Sequence, residues 1–165
     1  MDYVSHGLWS YIFFHRIRTP LLAVVFGLLP DTASWVIYAI YRLFMGGTFG
    51  KPIISEIPDW TFTLYNISHS LIVAAAVILL VFAVLRTLPL YLFAWPIAIV
   101  MDLLTHSRAF LPTPFLWPLS GWTFPGISWG TWEFIVVNYA LIAISMTLII
   151  LYRQRRRRDR RETGI

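Results

Sequence analysis

Long apolar stretches alternate with short breaks rich in proline, glycine and charge. Residues 3–15 are apolar and aromatic, with His6 near the start and His15 at the end. A helix of that length, at about 1.5 Å per residue, covers roughly 20 Å, short of a bilayer core of about 30 Å. The pattern therefore predicts a short, partly inserted helix, closed by Arg16 and Arg18. Residues 20–44 are long enough to span and are interrupted by Gly27-Leu28-Leu29-Pro30-Asp31. Proline removes a helical hydrogen bond and restricts the residue before it. A break is expected there, with Asp31 as the N-cap of a helix over 32–44. Residues 45–65, with Lys51, Glu56 and Asp59, read as a polar loop. Asn66-Ile67-Ser68-His69-Ser70 then opens the cleanest membrane helix, which runs to about Leu85 and holds His69 in its first turn.

Arg86, Thr87 and Pro89 make a tight turn, and residues 90–106 form the next helix, with a kink expected at Pro96. Residues 107–131 contain Pro112, Pro114, Pro118 and Pro125 and cannot form a regular helix. Their tryptophans, Trp117, Trp122 and Trp129, suit the headgroup level. Residues 132–152 are the last apolar run. The expected architecture is an all-α polytopic membrane bundle of about four spans plus the short N-terminal helix. Residues 1–152 form the membrane domain, and 153–165 a basic cytoplasmic tail.

Composition agrees with that pattern. The 165 residues are 58% hydrophobic and 13% charged, where a soluble domain carries about 25% charge. Cysteine is absent, so a metal site must draw on His, Asp, Glu and backbone oxygen. The first residues lack a basic segment followed by a small-residue cleavage site, so no cleavable signal peptide is expected. The net charge of +5 does not point to nucleic acid. Seven of the thirteen basic residues lie in the tail: Arg153, Arg155, Arg156, Arg157, Arg158, Arg160 and Arg161.

Basic residues favour the cytoplasmic side, which places the tail inside. Counting back through the spans puts Arg16, Arg18 and Arg86 inside as well, and Arg42, Lys51 and Arg108 outside. That topology gathers the ionisable groups. His6, His69, Asp102 and His106 fall at outer helix ends, and Asp31 at the break in mid-segment. Asp102 and His106 are four apart and share a helical face, where both can close on one ion. Ionisable groups at membrane depth are costly and are read as functional. Asp31 and Asp102 buried together would repel unless a cation sat between them.

His6-Gly7, Gly27-Leu28-Leu29-Pro30-Asp31, His69-Ser70-Leu71 and Asp102-Leu103-Leu104-Thr105-His106, followed by the Pro-rich stretch 111–120, resemble the membrane-bound metal-dependent hydrolases. These are also described as LexA-binding, inner-membrane-associated hydrolases. The resemblance covers roughly residues 1–120. It implies His6, Asp31, His69, Asp102 and His106 as metal-site positions. It also implies a kinship in pattern with all-helical zinc-dependent phospholipases C. Family members often carry a second acidic residue after the Pro-Asp pair, where this chain has Thr32-Ala33-Ser34.

The function expected is a metal-dependent hydrolase embedded in an inner membrane, acting on a lipid or another phosphate ester. Zinc is the expected ion, with manganese an alternative. Asp31 or Asp102 is the candidate general base. Glu133, at the outer start of the last span, is a further base candidate, although an acid there also suits a helix N-terminus. His15 faces the basic side and is left out of the site. Membrane lipids are the expected partners. The rival function is non-enzymatic: a structural metal or polar brace, with a tail that recruits a partner or anionic lipid.

Overall fold

The computed structural model describes residues 1–47, 53–108 and 111–162, so Lys51 lies outside the described residues. Among the described residues, seven α-helices carry the fold: α1 (Tyr3–Phe14), α2 (Pro20–Asp31), α3 (Ile37–Phe44), α4 (Asp59–Ser68), α5 (Leu71–Leu85), α6 (Ala94–Thr105) and α7 (Trp132–Glu162). No strand occurs among the described residues. Helix α2 packs between α1 and α6, and α7 lies along α1.

Among the described residues, two helices are long and apolar enough to cross a membrane, Pro20–Phe44 and Trp132–Arg161. A third crossing exists if α4 and α5, bent by 56° at their junction, count as one broken span. The expected count of four spans is not reached among the described residues. The shortfall lies in the apolar segment Leu90–Thr105, which covers only about 25 Å.

The expected break at Pro30 is absent. Helix α2 passes through a π-helical turn, Thr32–Val36, into α3. A π turn widens the backbone and accommodates what a proline cannot bond. The Pro30 carbonyl accepts from the Ser34 hydroxyl at 2.9 Å and from the Ser68 hydroxyl at 3.0 Å. Asp31 keeps helical backbone angles and makes no capping hydrogen bond, so it is not an N-cap.

The loop expected over 45–65 contains most of α4. Pro58 precedes that helix, and Asp59 places a carboxylate in its first turn, where the helix dipole favours one. His69 consequently sits at the C-cap of α4, at the bend, and not in the first turn of a helix. Ser70 begins the next helix, its hydroxyl accepting from the Ile72 and Val73 amides. Pro96 is the third residue of α6, where the missing N–H would have had no helical partner, and the expected kink lies in a short 3-10 turn, Leu90–Phe93, ahead of it.

Residues 111–131 are irregular, as expected, and fold back onto two helix ends. The Ile127 and Trp129 amides donate to the Leu104 and Thr105 carbonyls at 2.9 Å each, satisfying acceptors that the end of α6 leaves open. Gly126 permits this approach, because a Cβ there would lie 2.7 Å from the carbonyl oxygens of Leu103, Leu104 and His106. Gly27 does the same between α1 and α2, where a Cβ would meet the Ser10 hydroxyl at 1.8 Å. A small apolar core of Ala74, Trp95 and Ile99 lies under the bend, and the Trp95 indole donates to the Ser68 carbonyl at 2.8 Å.

Candidate metal centre

The five residues expected in the site come together, from four parts of the chain. His6 lies in the first turns of α1, Asp31 ends α2, His69 occupies the α4–α5 bend, Asp102 is in the last turn of α6 and His106 caps it. His6 Nε2 is 2.9 Å from Asp102 Oδ1 and 3.8 Å from Asp31 Oδ2. His69 Nε2 is 3.4 Å from Asp31 Oδ1 and 3.5 Å from Asp102 Oδ2. His106 Nε2 is 3.8 Å from Asp102 Oδ1. Three Nε2 atoms thus each lie within 4 Å of one or both of the two carboxylates. Asp31, His69 and Asp102 each offer a ligand atom within 4.8 Å of the others, a spacing that can hold a metal ion.

Burial sharpens that geometry. His69 and Asp102 are fully buried and His6 nearly so, whereas Asp31 and His106 keep a small exposed edge. His69 Nε2 and Asp102 Oδ2 have no hydrogen-bond partner. A buried polar atom without a partner is costly, and most native ones are satisfied. Both atoms belong to types that bind divalent ions, so the residues present fit a metal.

The hydrogen bonds behind the imidazoles set two of the three rings. His69 Nδ1 lies 3.1 Å from the Tyr65 carbonyl oxygen, which can only accept. Its proton therefore sits on Nδ1, and the Nε2 lone pair faces the cluster. The Tyr65 hydroxyl donates to the Leu111 carbonyl at 3.1 Å and so accepts from His106 Nδ1 at 3.3 Å. The Thr113 hydroxyl lies 3.2 Å from the same Nδ1. His106 is thereby turned with its Nε2 lone pair inward as well. His6 differs: its Nε2 lies 2.9 Å from Asp102 Oδ1, and its Nδ1 has no hydrogen-bond partner to set the ring from behind. The Met1 amino group also bonds Asp102 Oδ1 and lies 3.2 Å from His106 Nε2.

A polar ladder holds α1 against α7. The Trp9 indole donates to Asn138 Oδ1 at 2.9 Å, and the Asn138 amide donates to the Ser5 hydroxyl at 2.7 Å. Ser5 in turn donates to Asp2 Oδ2 at 2.6 Å, and Tyr139 donates to Asp2 Oδ1 at 2.9 Å. Burial alone would raise the Asp2 carboxyl. The bonds from the Ser5 hydroxyl and amide and from Tyr139 outweigh it and hold Asp2 below its usual range.

Glu133 is exposed in the first turn of α7 and has no hydrogen bond or ion pair with the cluster among the described residues. Tyr65, Ser68 and Thr113, which brace the imidazoles, are absent from the sequence-based site. Tyr65 stands four residues before His69, a helical spacing that was hidden once residues 45–65 read as a loop. No family model matches this chain, and no curated protein or solved structure does either.

Proposed function

We propose that the protein is a membrane-embedded, metal-dependent hydrolase of phosphate esters, lipid esters among them. The observation that carries this reading is the pair of buried, unpartnered atoms, His69 Nε2 and Asp102 Oδ2, facing each other across a cluster of five ligand-type side chains. His6, His69 and His106 would supply nitrogens, and Asp31 and Asp102 oxygens. That mixture suits zinc, with manganese second. A divalent ion held there supplies Lewis acidity, which acidifies water and polarises a phosphoryl oxygen. The order of the His-Gly, Pro-Asp, His-Ser and Asp-x-x-x-His motifs, resembling membrane-bound metal-dependent hydrolases, adds support.

The two carboxylates divide the work. The Asp102 side chain is closed to solvent and holds His6 and the Met1 amine, so it positions. The Asp31 side chain is 13% exposed and is the carboxylate that an entering water meets, so it is the general base. The cluster lies toward the outer membrane face, with the tail cytoplasmic, in the orientation that the basic residues favour.

One observation favours a second reading. The Met1 amine and His6 already hydrogen-bond Asp102, so the cluster can stand as a polar brace or structural metal site in a non-enzymatic membrane protein. The test is release of phosphate from soluble and micelle-presented esters by metal-loaded wild type and Asp31→Asn, with metal content measured beside each. The expected result is chelator-sensitive release that falls by about 10²–10⁴-fold in Asp31→Asn. Equal rates in the two, or no release at full metal occupancy, establish the brace.

A further inference from the structure

The other end of α1 carries a second site. His15 caps α1, and beside it a cavity of about 610 Å³ opens between Arg16 and one face of α7. Arg153, Arg156, Arg157 and Arg160 line the α7 side. Their spacing of three and four residues places them along a single helical face. The arginine segment is therefore two-sided: Arg155 and Arg158 line a different surface, with Gln154.

This cleft is built, not a loose run of charge. The Arg153 guanidinium donates to the Tyr11 hydroxyl at 2.8 Å and to the His15 carbonyl at 3.1 Å, tying α7 to the end of α1. The Tyr152 ring lies under two guanidiniums, 5.2 Å from Arg16 and 5.8 Å from Arg156. Arg157 and Arg160 have no hydrogen bond, ion pair or ring partner among the described residues. No carboxylate lines the cavity among the described residues. Five guanidiniums around one space, with like charges three and four residues apart, repel until an anion enters. Guanidinium forks match phosphate oxygens in geometry and charge.

Depth selects the source of that phosphate. The apolar run Leu148, Ile149, Ile150, Leu151 ends directly at Tyr152 and Arg153, so the cleft opens where a bilayer core gives way to headgroups. We propose that this cleft binds the phosphate headgroup of an anionic phospholipid, seated between the end of α1 and the arginine face of α7. The site is independent of any metal and of hydrolysis.

The test measures equilibrium binding to the full chain in neutral detergent. The probes are a short-chain phosphatidate, the matching phosphatidylcholine, and inorganic phosphate. Two double variants are compared, Arg157→Gln with Arg160→Gln in the cleft, and Arg155→Gln with Arg161→Gln outside it. Each removes two charges from the same helix, and none of the four residues makes a contact that holds the fold. Phosphatidate should bind, phosphatidylcholine should not, and inorganic phosphate should bind more weakly. The cleft pair should lose on the order of tenfold in phosphatidate affinity, and the outer pair much less. Equal loss in both pairs would reduce the effect to diffuse attraction by the tail and overturn the site. Equal affinity for inorganic phosphate would overturn the lipid assignment, and no binding of phosphatidate would overturn the proposal.

Discussion

Helix α1 joins two charge clusters of opposite sign. Near its start, His6 faces two carboxylates and two further imidazoles, closed to solvent. At its end, His15 borders five arginines in an open cleft. Nine residues separate the two histidines, about 14 Å along the helix. The difference between the clusters is desolvation. Buried charge must be paired and hydrogen-bonded, because an unmatched group inside costs several kcal/mol. Surface charge is screened, and each pair contributes about 0–1 kcal/mol. Hence two of the three imidazoles of the first cluster are braced through Tyr65, Ser68 and Thr113, whereas the second cluster needs only a face of arginines and two anchoring bonds.

If this contrast holds, the largest effects belong to the buried cluster. Asp102→Ala and His69→Ala should each strip the metal from purified protein after dialysis against a weak chelator, as read by elemental analysis. Full retention in both would remove the metal from the account. Next comes Tyr65→Phe, which takes away the hydroxyl behind His106. Outer groups of this kind typically cost 10–100-fold in metal affinity, so a drop of about tenfold is expected in a competition titration. An unchanged affinity would mean that Thr113 alone orients the ring.

The middle of α1 is tested by Gly27→Ala. The added methyl meets the Ser10 hydroxyl, buried in the α1–α2 contact, and overpacking of this kind costs about 1–3 kcal/mol. The expected reading is a lower unfolding temperature in detergent with metal and phosphatidate binding both kept. Loss of one binding activity alone would show that the crossing serves one end more than the other. The smallest effect on the metal is expected from deleting residues 154–165. Metal content should not change, although phosphatidate binding should go, and a fall in metal would join the two clusters into one unit. A side-of-membrane check completes the set. Cysteines at Thr19 and Ser55, which flank Pro20–Phe44, should react with an impermeant reagent from opposite faces, and labelling from the same face would discard that crossing.

The helical class and the five clustered residues were legible in the chain because both depend on strong, local signals. Apolar runs mark membrane helices, and charge inside them is rare enough to stand out at Asp31 and Asp102. The span count was less legible, since apolarity alone does not separate a crossing helix from the short segment Leu90–Thr105, half-wrapped by its neighbours. Helix α4 was hidden by its polarity: Asp59, Thr61, Thr63 and Asn66 look like a loop until Thr61, Tyr65 and Ser68 are seen buried on one side. The π turn was hidden for a different reason. Pro30 signals a missing amide donor, but nothing near it in sequence shows that its carbonyl accepts from the hydroxyl of Ser68, on a distant helix, as well as from that of Ser34.

The Ser68–Pro30 bond has a consequence for how the chain can change over evolutionary time. Pro30 and Ser68 each stand directly before a residue of the cluster, Asp31 and His69, and they are tied through one carbonyl oxygen. An insertion or deletion between 30 and 34, or between 65 and 69, would slip one partner past the other by a whole peptide unit. No side-chain substitution nearby could restore the match. Length drift should therefore accumulate elsewhere, in the connections before α4 and after α6, while these two short windows keep their spacing even as their flanking apolar residues are exchanged freely.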